Sequence, residues 1–102
     1  MKTLALIRRQ LTDGEFEFSR HAFRRAVERN ISEEEIRAAG RQAEIIEEYP
    51  GDKYSPSALL VGLASPGRTL HIQVSLAESP LTKIITLYEP DPAEWVQHRI
   101  RR

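Results

Sequence analysis

The chain has 102 residues, of which 40% are hydrophobic and 29% charged. This composition is typical of one globular domain over residues 1–102 and excludes a disordered or fibrous protein. The 15 basic and 15 acidic side chains cancel in number, but residues 1–30 are mainly basic and residues 31–52 mainly acidic, so the charge is unevenly spread. Cysteine is absent, which excludes a disulfide framework and a zinc site with cysteine ligands.

Three helices are predicted in the N-terminal half, over residues 3–11, 20–29 and 33–43. The first has apolar residues at spacings of three and four. The alternation of Glu15–Phe18 predicts a short strand after it. Ser19 is suited to cap the second helix, because its side-chain oxygen can accept a hydrogen bond from a free amide of the first turn. Asn30 is suited to a left-handed helix end, and Ser32 with Glu35 predicts a capping box at the start of the third helix.

The C-terminal half changes to the alternation that is typical of strands. Strands are predicted from residue 45 to a turn at 50–52, and then over 58–63, 70–76 and 83–88. Short turns between successive strands favour an antiparallel meander. Asp91 as N-cap and Pro92 at the first helical position predict a short C-terminal helix that carries Trp95. The predicted fold class is α+β, with N-terminal helices packed on one face of a small antiparallel β-meander and a short C-terminal helix.

The helix over residues 20–29 has one face that is rich in arginine. At about 100° per residue, its charged side chains fall on one half and its apolar side chains on the other. The charged half consists of Arg20, His21, Arg24, Arg25, Glu28 and Arg29, and the apolar half of Ala22, Phe23, Ala26 and Val27. Guanidinium groups bind phosphate, so the charged half suits an RNA backbone. The predicted RNA- or partner-binding residues are Arg20, Arg24, Arg29 and, from a later turn, Arg68. The alternative is a solvated face that forms ion pairs with the acidic residues 33–48.

Two of the three histidines stand at positions where they could take part in chemistry. His21 lies in the first turn of the arginine-rich helix, and His71 lies on the polar side of its strand. RNA cleavage without a metal requires groups that take up and donate protons, together with cations that hold the phosphate. The predicted catalytic residues are therefore His21 and His71 for proton transfer, Arg25 for the phosphate and Tyr88 as an assisting group. No metal or cofactor is expected, because no histidine pair has the spacing of metal ligands. The alternative is that both histidines are structural or surface residues.

Five separated motifs resemble, in order, the family known as domain of unknown function 4258. They are FSRHAFRRAVERNISEEEI at 18–36, IIEEYP at 45–50, RTLHI at 68–72, ITLYEP at 85–90, and Trp95, so the resemblance covers about residues 15–95. That family is similar to the RelE/MqsR-like ribonuclease toxins, and its members are often encoded beside a small zinc-finger antitoxin. The resemblance implies a compact domain with helices on a small sheet, ribonuclease activity and an antitoxin-like partner protein. It places the family's polar positions at His21, Arg25, Arg29, His71 and Tyr88.

Two functions of different classes are consistent with these observations. The first is a metal-independent endoribonuclease of the toxin type, acting on RNA by general acid–base catalysis. The second is a non-catalytic binding module that uses the arginine-rich helix face to bind RNA or an acidic partner protein. They differ in whether His21, Arg25 and His71 line one cleft. No apolar run is long enough for a signal peptide or a membrane span, so we expect a cytoplasmic protein without a membrane partner.

Overall fold

The computed structural model describes residues 1–102 and has three helices, a five-stranded mixed sheet and a small hairpin. The helices are α1 (Leu4–Thr12), α2 (Arg20–Glu28) and α3 (Glu33–Gly40). The strands of the sheet are β1 (Phe16–Phe18), β2 (Glu44–Tyr49), β3 (Ser57–Ser65), β4 (Arg68–Ser75) and β5 (Thr82–Tyr88). Strands β6 (Trp95–Val96) and β7 (Ile100–Arg101) pair with each other and form the C-terminal hairpin. None of the three helices is long and apolar enough to span a membrane.

Local side-chain caps set the limits of α2 and α3, as the sequence predicts. The Ser19 hydroxyl accepts a hydrogen bond from the amide of Ala22 at 3.0 Å. Ser32 and Glu35 form the complete capping box, in which each side chain accepts from the other residue's backbone amide. Asn30 adopts a φ of 57°, the left-handed conformation predicted for the end of α2. These interactions join residues no more than a few positions apart, which is why the sequence alone reveals them.

The sheet has the strand order β1-β5-β4-β3-β2. Strands β2 to β5 pair successively in antiparallel fashion, whereas β1 pairs with β5 in parallel. The prediction of an entirely antiparallel meander is therefore wrong, although the α+β class is confirmed. Short turns reveal only which consecutive strands are neighbours. The partner of β1 is β5, which is the last of the five strands in sequence. No turn connects the two strands, so no turn signal indicates that they pair.

The helices pack on one face of the sheet and enclose a core of 16 buried residues. Alternate residues of β4, namely Leu70, Ile72 and Val74, face this core and are buried. Helix α3 approaches β3 so closely that there is no room for a side chain at Gly62. A Cβ atom built there would lie 2.2 Å from the carbonyl oxygen of Ala39. The glycine is therefore required by the distance between helix and sheet.

We expect Gly62→Ala to lower the free energy of unfolding by about 3 kcal/mol, because the added methyl group overlaps the backbone of α3. Gly51→Ala is the matched control, since a Cβ atom at Gly51 has no neighbour within 4 Å. Urea denaturation of both variants measures the difference. Equal stability of the two variants would show that α3 can move away from the sheet without cost.

Strand β5 contains a bulge that changes which of its side chains face the helices. Its register with β4 shifts at Ile85, which has no partner. As a result Ile84 and Leu87, three residues apart, are both fully buried in the core. Strict alternation would place Ile84 and Tyr88 on the same face. The bulge instead places Thr86 and Tyr88 on the face opposite the helices.

The segment after Pro90 does not form the predicted C-terminal helix. The amides of Glu94 and Trp95 bond to the carbonyl of Asp91 at 2.8 and 3.0 Å and close only a single turn. The chain then enters the C-terminal hairpin. The capping signals of Asp91 and Pro92 are genuine, but a short helix is only marginally stable by itself. Packing of Trp95 on the sheet, where it is 2% exposed, outweighs that weak local preference.

Candidate functional site

The face of the sheet opposite the helices, called here the outer face, carries most of the polar side chains of the strands. Alternation along β4, and alternation interrupted by the bulge along β5, place the following residues on it: His71, Gln73, Ser75, Lys83, Thr86 and Tyr88. The C-terminal hairpin covers the half with His71 and Tyr88. The other half is open to solvent and forms a pocket.

This open pocket has a volume of about 600 Å³. Four parts of the chain meet there: the start of α2, the loop between β2 and β3, and the outward side chains of β4 and β5. Its lining residues are Ser19, His21, Asp52, Tyr54, Ser55, Gln73, Ser75, Lys83 and Ile85. The pocket therefore combines an imidazole, an ammonium group and a carboxylate with several hydroxyl and amide groups.

Helix α2 carries His21 to the pocket because both ends of the helix are attached to β5. Strand β1 pairs only with residues 82–84 of β5. Beyond that point, the Ser19 hydroxyl donates to the carbonyl of Ile85 at 2.9 Å, and the Arg29 guanidinium donates to the carbonyl of Leu87 at 3.2 Å. The helix thus continues along the edge of the sheet where β1 ends. His21, in its first turn, lies at the rim of the outer face with its side chain exposed.

The opposite wall of the pocket is held by hydrogen bonds to Asp52. Its carboxylate accepts from the Ser57 hydroxyl at 2.7 Å and from the Gln73 amide at 3.5 Å. The same Gln73 nitrogen lies 3.1 Å from the Ser57 hydroxyl oxygen. Ser55 and Ser75 join their hydroxyls at 2.9 Å. These contacts fix the loop between β2 and β3 over the sheet, so the pocket wall is preformed.

His71 lies on the outer face as predicted, but it is fully buried beneath the C-terminal hairpin. Its Nε2 atom is 2.6 Å from the backbone carbonyl oxygen of His98. A carbonyl can only accept, so Nε2 carries the proton and Nδ1 is left as an acceptor. The Tyr88 hydroxyl, 3.3 Å from Nδ1, then donates to it. Burial lowers the pKa of the His71 imidazole and raises the pKa of the Tyr88 phenol, so both groups stay neutral.

The C-terminal hairpin is held over His71 by aromatic and ionic contacts. The Trp95 ring meets the imidazole edge-on, with the ring centroids 4.5 Å apart. The Arg101 guanidinium lies 4.5 Å from the centre of the Trp95 ring and also pairs with Glu47 at 2.9 Å. The hydrogen bond from Arg101 lowers the pKa of Glu47, whose carboxylate also accepts from the Tyr49 hydroxyl. These contacts indicate that His71 anchors the C-terminal hairpin to the sheet.

Consequently His21, Arg25 and His71 do not line one cleft. His21 belongs to the open pocket, whereas His71 and Tyr88 lie under the hairpin on the same face of the sheet. Arg25 is one helical turn from His21 on the same side of α2, and it forms an exposed ion pair with Glu28 at 3.0 Å. This ion pair is weak, since exposed pairs contribute about 1 kcal/mol or less.

The other predicted arginines divide into free and structural ones. Arg20 and Arg24 are exposed and have no carboxylate within 4.0 Å. Arg29 is bound to the edge of β5, as described above. Arg68 is held by four partners at once, which are the carboxylates of Glu35 and Glu89 and the carbonyls of Arg29 and Asn30. It links β4 to the junction of α2 and α3, and four hydrogen bonds of its guanidinium are already made within the fold.

Sequence reasoning overlooked Lys83, Asp52 and Ser75 as members of the site. The signal for Ser75 was present, because it alternates outward with His71 and Gln73 along β4. Lys83 opens a strand and Asp52 belongs to a turn, positions at which a charged side chain is ordinarily a solvated one. Only the fold places them in the same pocket as His21. No three side chains that commonly bind metals gather anywhere in the chain as a ligand set.

The sequence model of the family described as domain of unknown function (DUF4258) matches residues 18–89. This range includes α2, α3 and all of β2 to β5, and therefore every lining residue of the open pocket. No curated protein and no solved structure matches the chain.

Proposed function

Because the chain belongs to the family of the domain of unknown function DUF4258, whose description states no activity, we propose a function from its own site. The protein is a metal-independent endoribonuclease whose active site is the open pocket, and this site differs from the predicted one because His21, Arg25 and His71 do not share a cleft and His21 is the only histidine in the pocket. The observation that carries this proposal is that His21 and Lys83 both line one preformed pocket of about 600 Å³, most of whose lining residues are polar. An imidazole and a cation are two of the groups that acid–base cleavage of RNA requires.

In the proposed reaction, His21 takes the proton of a ribose 2′-hydroxyl. The resulting oxygen forms a bond to the adjacent phosphorus, and the bond from phosphorus to the 5′-oxygen breaks. The leaving oxygen takes its proton from water, which the open pocket admits. Lys83 and Arg25 stabilise the negative charge on the phosphate. His71 and Tyr88 act as positioning residues that hold the C-terminal hairpin beside the pocket.

The resemblance of the motifs to RelE/MqsR-like ribonuclease toxins supports the same proposal. It adds that the activity is of the toxin type and that a small antitoxin-like protein of the zinc-finger class restrains it. An inhibitor of this kind is expected to cover the open pocket or the arginines beside it, where a basic surface attracts acidic groups.

A second candidate function is a non-catalytic module that binds RNA through the same pocket. The burial of His71 favours it, because only one histidine then remains in the pocket. Lys83, Arg25 and the pocket's hydroxyl and amide groups suffice to hold a phosphate and a base without cleaving the chain.

Incubation of the purified protein with a mixed RNA in the presence of a chelator separates the two candidates. Discrete cleavage products that disappear with His21→Ala support the endoribonuclease. Retention of RNA by the protein without cleavage supports the binding module. Absence of both binding and cleavage at low salt would refute both functions.

The salt dependence of RNA binding tests the location of the site. We expect the double variant Arg25→Ala, Lys83→Ala to bind RNA more weakly and to reduce the slope of log K against log salt by about 2, because each lost phosphate contact removes about one released counterion. The double variant Arg9→Ala, Arg41→Ala removes the same charge elsewhere and is the control. If both variants change the slope equally, RNA binds to diffuse charge and not to the pocket.

A further inference from the structure

Tyr54 is the most exposed aromatic side chain of the protein, with 88% of its surface open to solvent. It lines the open pocket from the loop between β2 and β3, and Ile85 is the other apolar side chain of the lining. The ammonium group of Lys53 lies over the Tyr54 ring, 5.3 Å from its centre. A ring that stays in water adds little to the stability of the fold, so it is free to contact a ligand in the pocket.

The wall formed by Asp52 and Gln73 offers a ligand only hydrogen-bond acceptors. The Gln73 amide nitrogen donates to the Asp52 carboxylate and to the Ser57 hydroxyl, so both of its hydrogens are in use. The carboxylate also accepts from the Ser57 hydroxyl and from the backbone amide of Lys53, which leaves one of its roughly four acceptor positions free. That position and the carbonyl oxygen of Gln73 remain for a ligand. This wall therefore binds a group that donates hydrogen bonds.

The charges of the open pocket orient a nucleotide. Lys83 comes from β5 and His21 from α2, whereas Asp52, the one carboxylate of the lining, comes from the loop between β2 and β3. A phosphate is attracted by the Lys83 ammonium and repelled by the Asp52 carboxylate. A nucleotide thus satisfies both walls with its phosphate at Lys83 and the donor groups of its base towards Asp52 and Gln73.

We infer that the open pocket holds one unpaired base of a single-stranded RNA, stacked on the Tyr54 ring, and that it selects bases that carry an amino group. This inference rests on the proposed function and names its substrate class. Aromatic side chains bind single strands by stacking on their bases, which in a duplex are already stacked and paired. The amino group of cytosine donates to Asp52 and Gln73. Uracil has a carbonyl oxygen at the same position of its ring, where it would face acceptors only.

Fluorescence anisotropy with a labelled, short 2′-fluoro oligocytidylate tests the stacking. This probe lacks the attacking 2′-hydroxyl, so binding is measured whether or not the protein cleaves RNA. Tyr54→Ala should weaken binding about tenfold, the usual effect of losing one stacked base. Tyr54→Phe keeps the ring and should bind like the parent. Phe23→Ala, which removes an exposed ring outside the pocket, is the matched control and should also bind like the parent.

The outcomes separate this inference from the proposed function. If Tyr54→Ala binds as tightly as the parent, the stacking is wrong, while RNA cleavage in the pocket stands. If the parent binds the probe through Tyr54 but cleaves no RNA, the inference holds and the catalytic proposal fails. A parent protein that binds no RNA overturns both.

Competition between 2′-fluoro oligocytidylate and oligouridylate tests the selection of the base, since cytosine and uracil have rings of the same size. The parent should prefer oligocytidylate about tenfold. Asp52→Asn should reduce this preference, because its amide can also donate to the uracil oxygen. Asp13→Asn removes the same charge from an exposed position outside the pocket and should keep the preference. Equal affinity of the parent for both strands, or tighter binding of a duplex than of its separate strands, contradicts the inference.

Discussion

His71→Ala is expected to lower the free energy of unfolding by about 2–4 kcal/mol, although His71 was predicted from the sequence as a catalytic residue. The change leaves the carbonyl of His98 without its donor and the Tyr88 hydroxyl without its acceptor. It also opens a cavity beneath Trp95, which now packs edge-on against the imidazole. The midpoint of urea denaturation at pH 7.5 measures the loss.

The free energy of unfolding of the parent protein should also depend on pH. The lowered pKa of His71 sets the direction of this dependence. Burial lowers the pKa of its imidazole in the folded protein, whereas in the unfolded chain the pKa lies near the ordinary value of about 6.5. The unfolded chain therefore binds a proton that the folded protein does not. The contribution of His71 to the free energy of unfolding is fully present above about pH 6.5. It decreases as the pH falls, by up to about 1.4 kcal/mol per pH unit.

His71→Gln is the matched variant for this pH effect, because it keeps a hydrogen-bonding side chain that does not titrate. Its stability should vary less than that of the parent between pH 7.5 and 5. The other two histidines are exposed to water in the folded protein, so the difference between parent and variant isolates His71. Identical pH profiles would mean that His71 is not held in its neutral form by the fold.

His21→Ala is expected to reduce the rate of RNA cleavage about 10²–10⁴-fold, the usual effect of removing a general acid or base. The side chain of His21 is exposed, so the free energy of unfolding should stay within about 0.5 kcal/mol of the parent. Cleavage of a labelled RNA under single-turnover conditions, with chelator present, measures the rate.

His98→Asn is the control for the loss of a histidine. The side chain of His98 is exposed, and its φ of 64° is a conformation that asparagine tolerates. The hydrogen bond with His71 is made by the backbone carbonyl of His98, so this bond survives the substitution. This variant should cleave RNA at the parental rate. If His21→Ala also cleaves at that rate, the proposed active site is wrong and RNA cleavage must take place elsewhere.

The amino-acid sequence by itself determined the order and limits of most elements. Ser19, Ser32 and Asn30 identify the ends of α2 and α3, because helix caps depend on partners within three or four residues. Alternation along β4 correctly separates Leu70, Ile72 and Val74 from His71. The polar character of the outer face could therefore be predicted, and the position of His21 in the exposed first turn of α2 is confirmed.

Only the tertiary structure decided which of the candidate residues are accessible. The same alternation that turns His71 outward gives no sign that the C-terminal hairpin covers it, since Trp95 and Arg101 come from a distant part of the chain. Capping signals at Asp91 predicted a helix there, but contacts with β2 and β4 stabilise a hairpin instead. Burial of a polar side chain depends on partners that are remote in sequence.

The same reason applies to the remaining differences. Lys2 would be expected on the surface, yet it is 6% exposed, because its ammonium group donates to Gln10 and to the carbonyl of Leu81, both at 2.8 Å. The pairing of β1 with β5 likewise joins segments that are far apart in the sequence. Interactions between near neighbours follow from local geometry and can be read from a single sequence. The open pocket with His21 and Lys83 is formed by segments that are distant in sequence. Its residues could not be predicted from patterns among near neighbours, because they come together only in the folded chain.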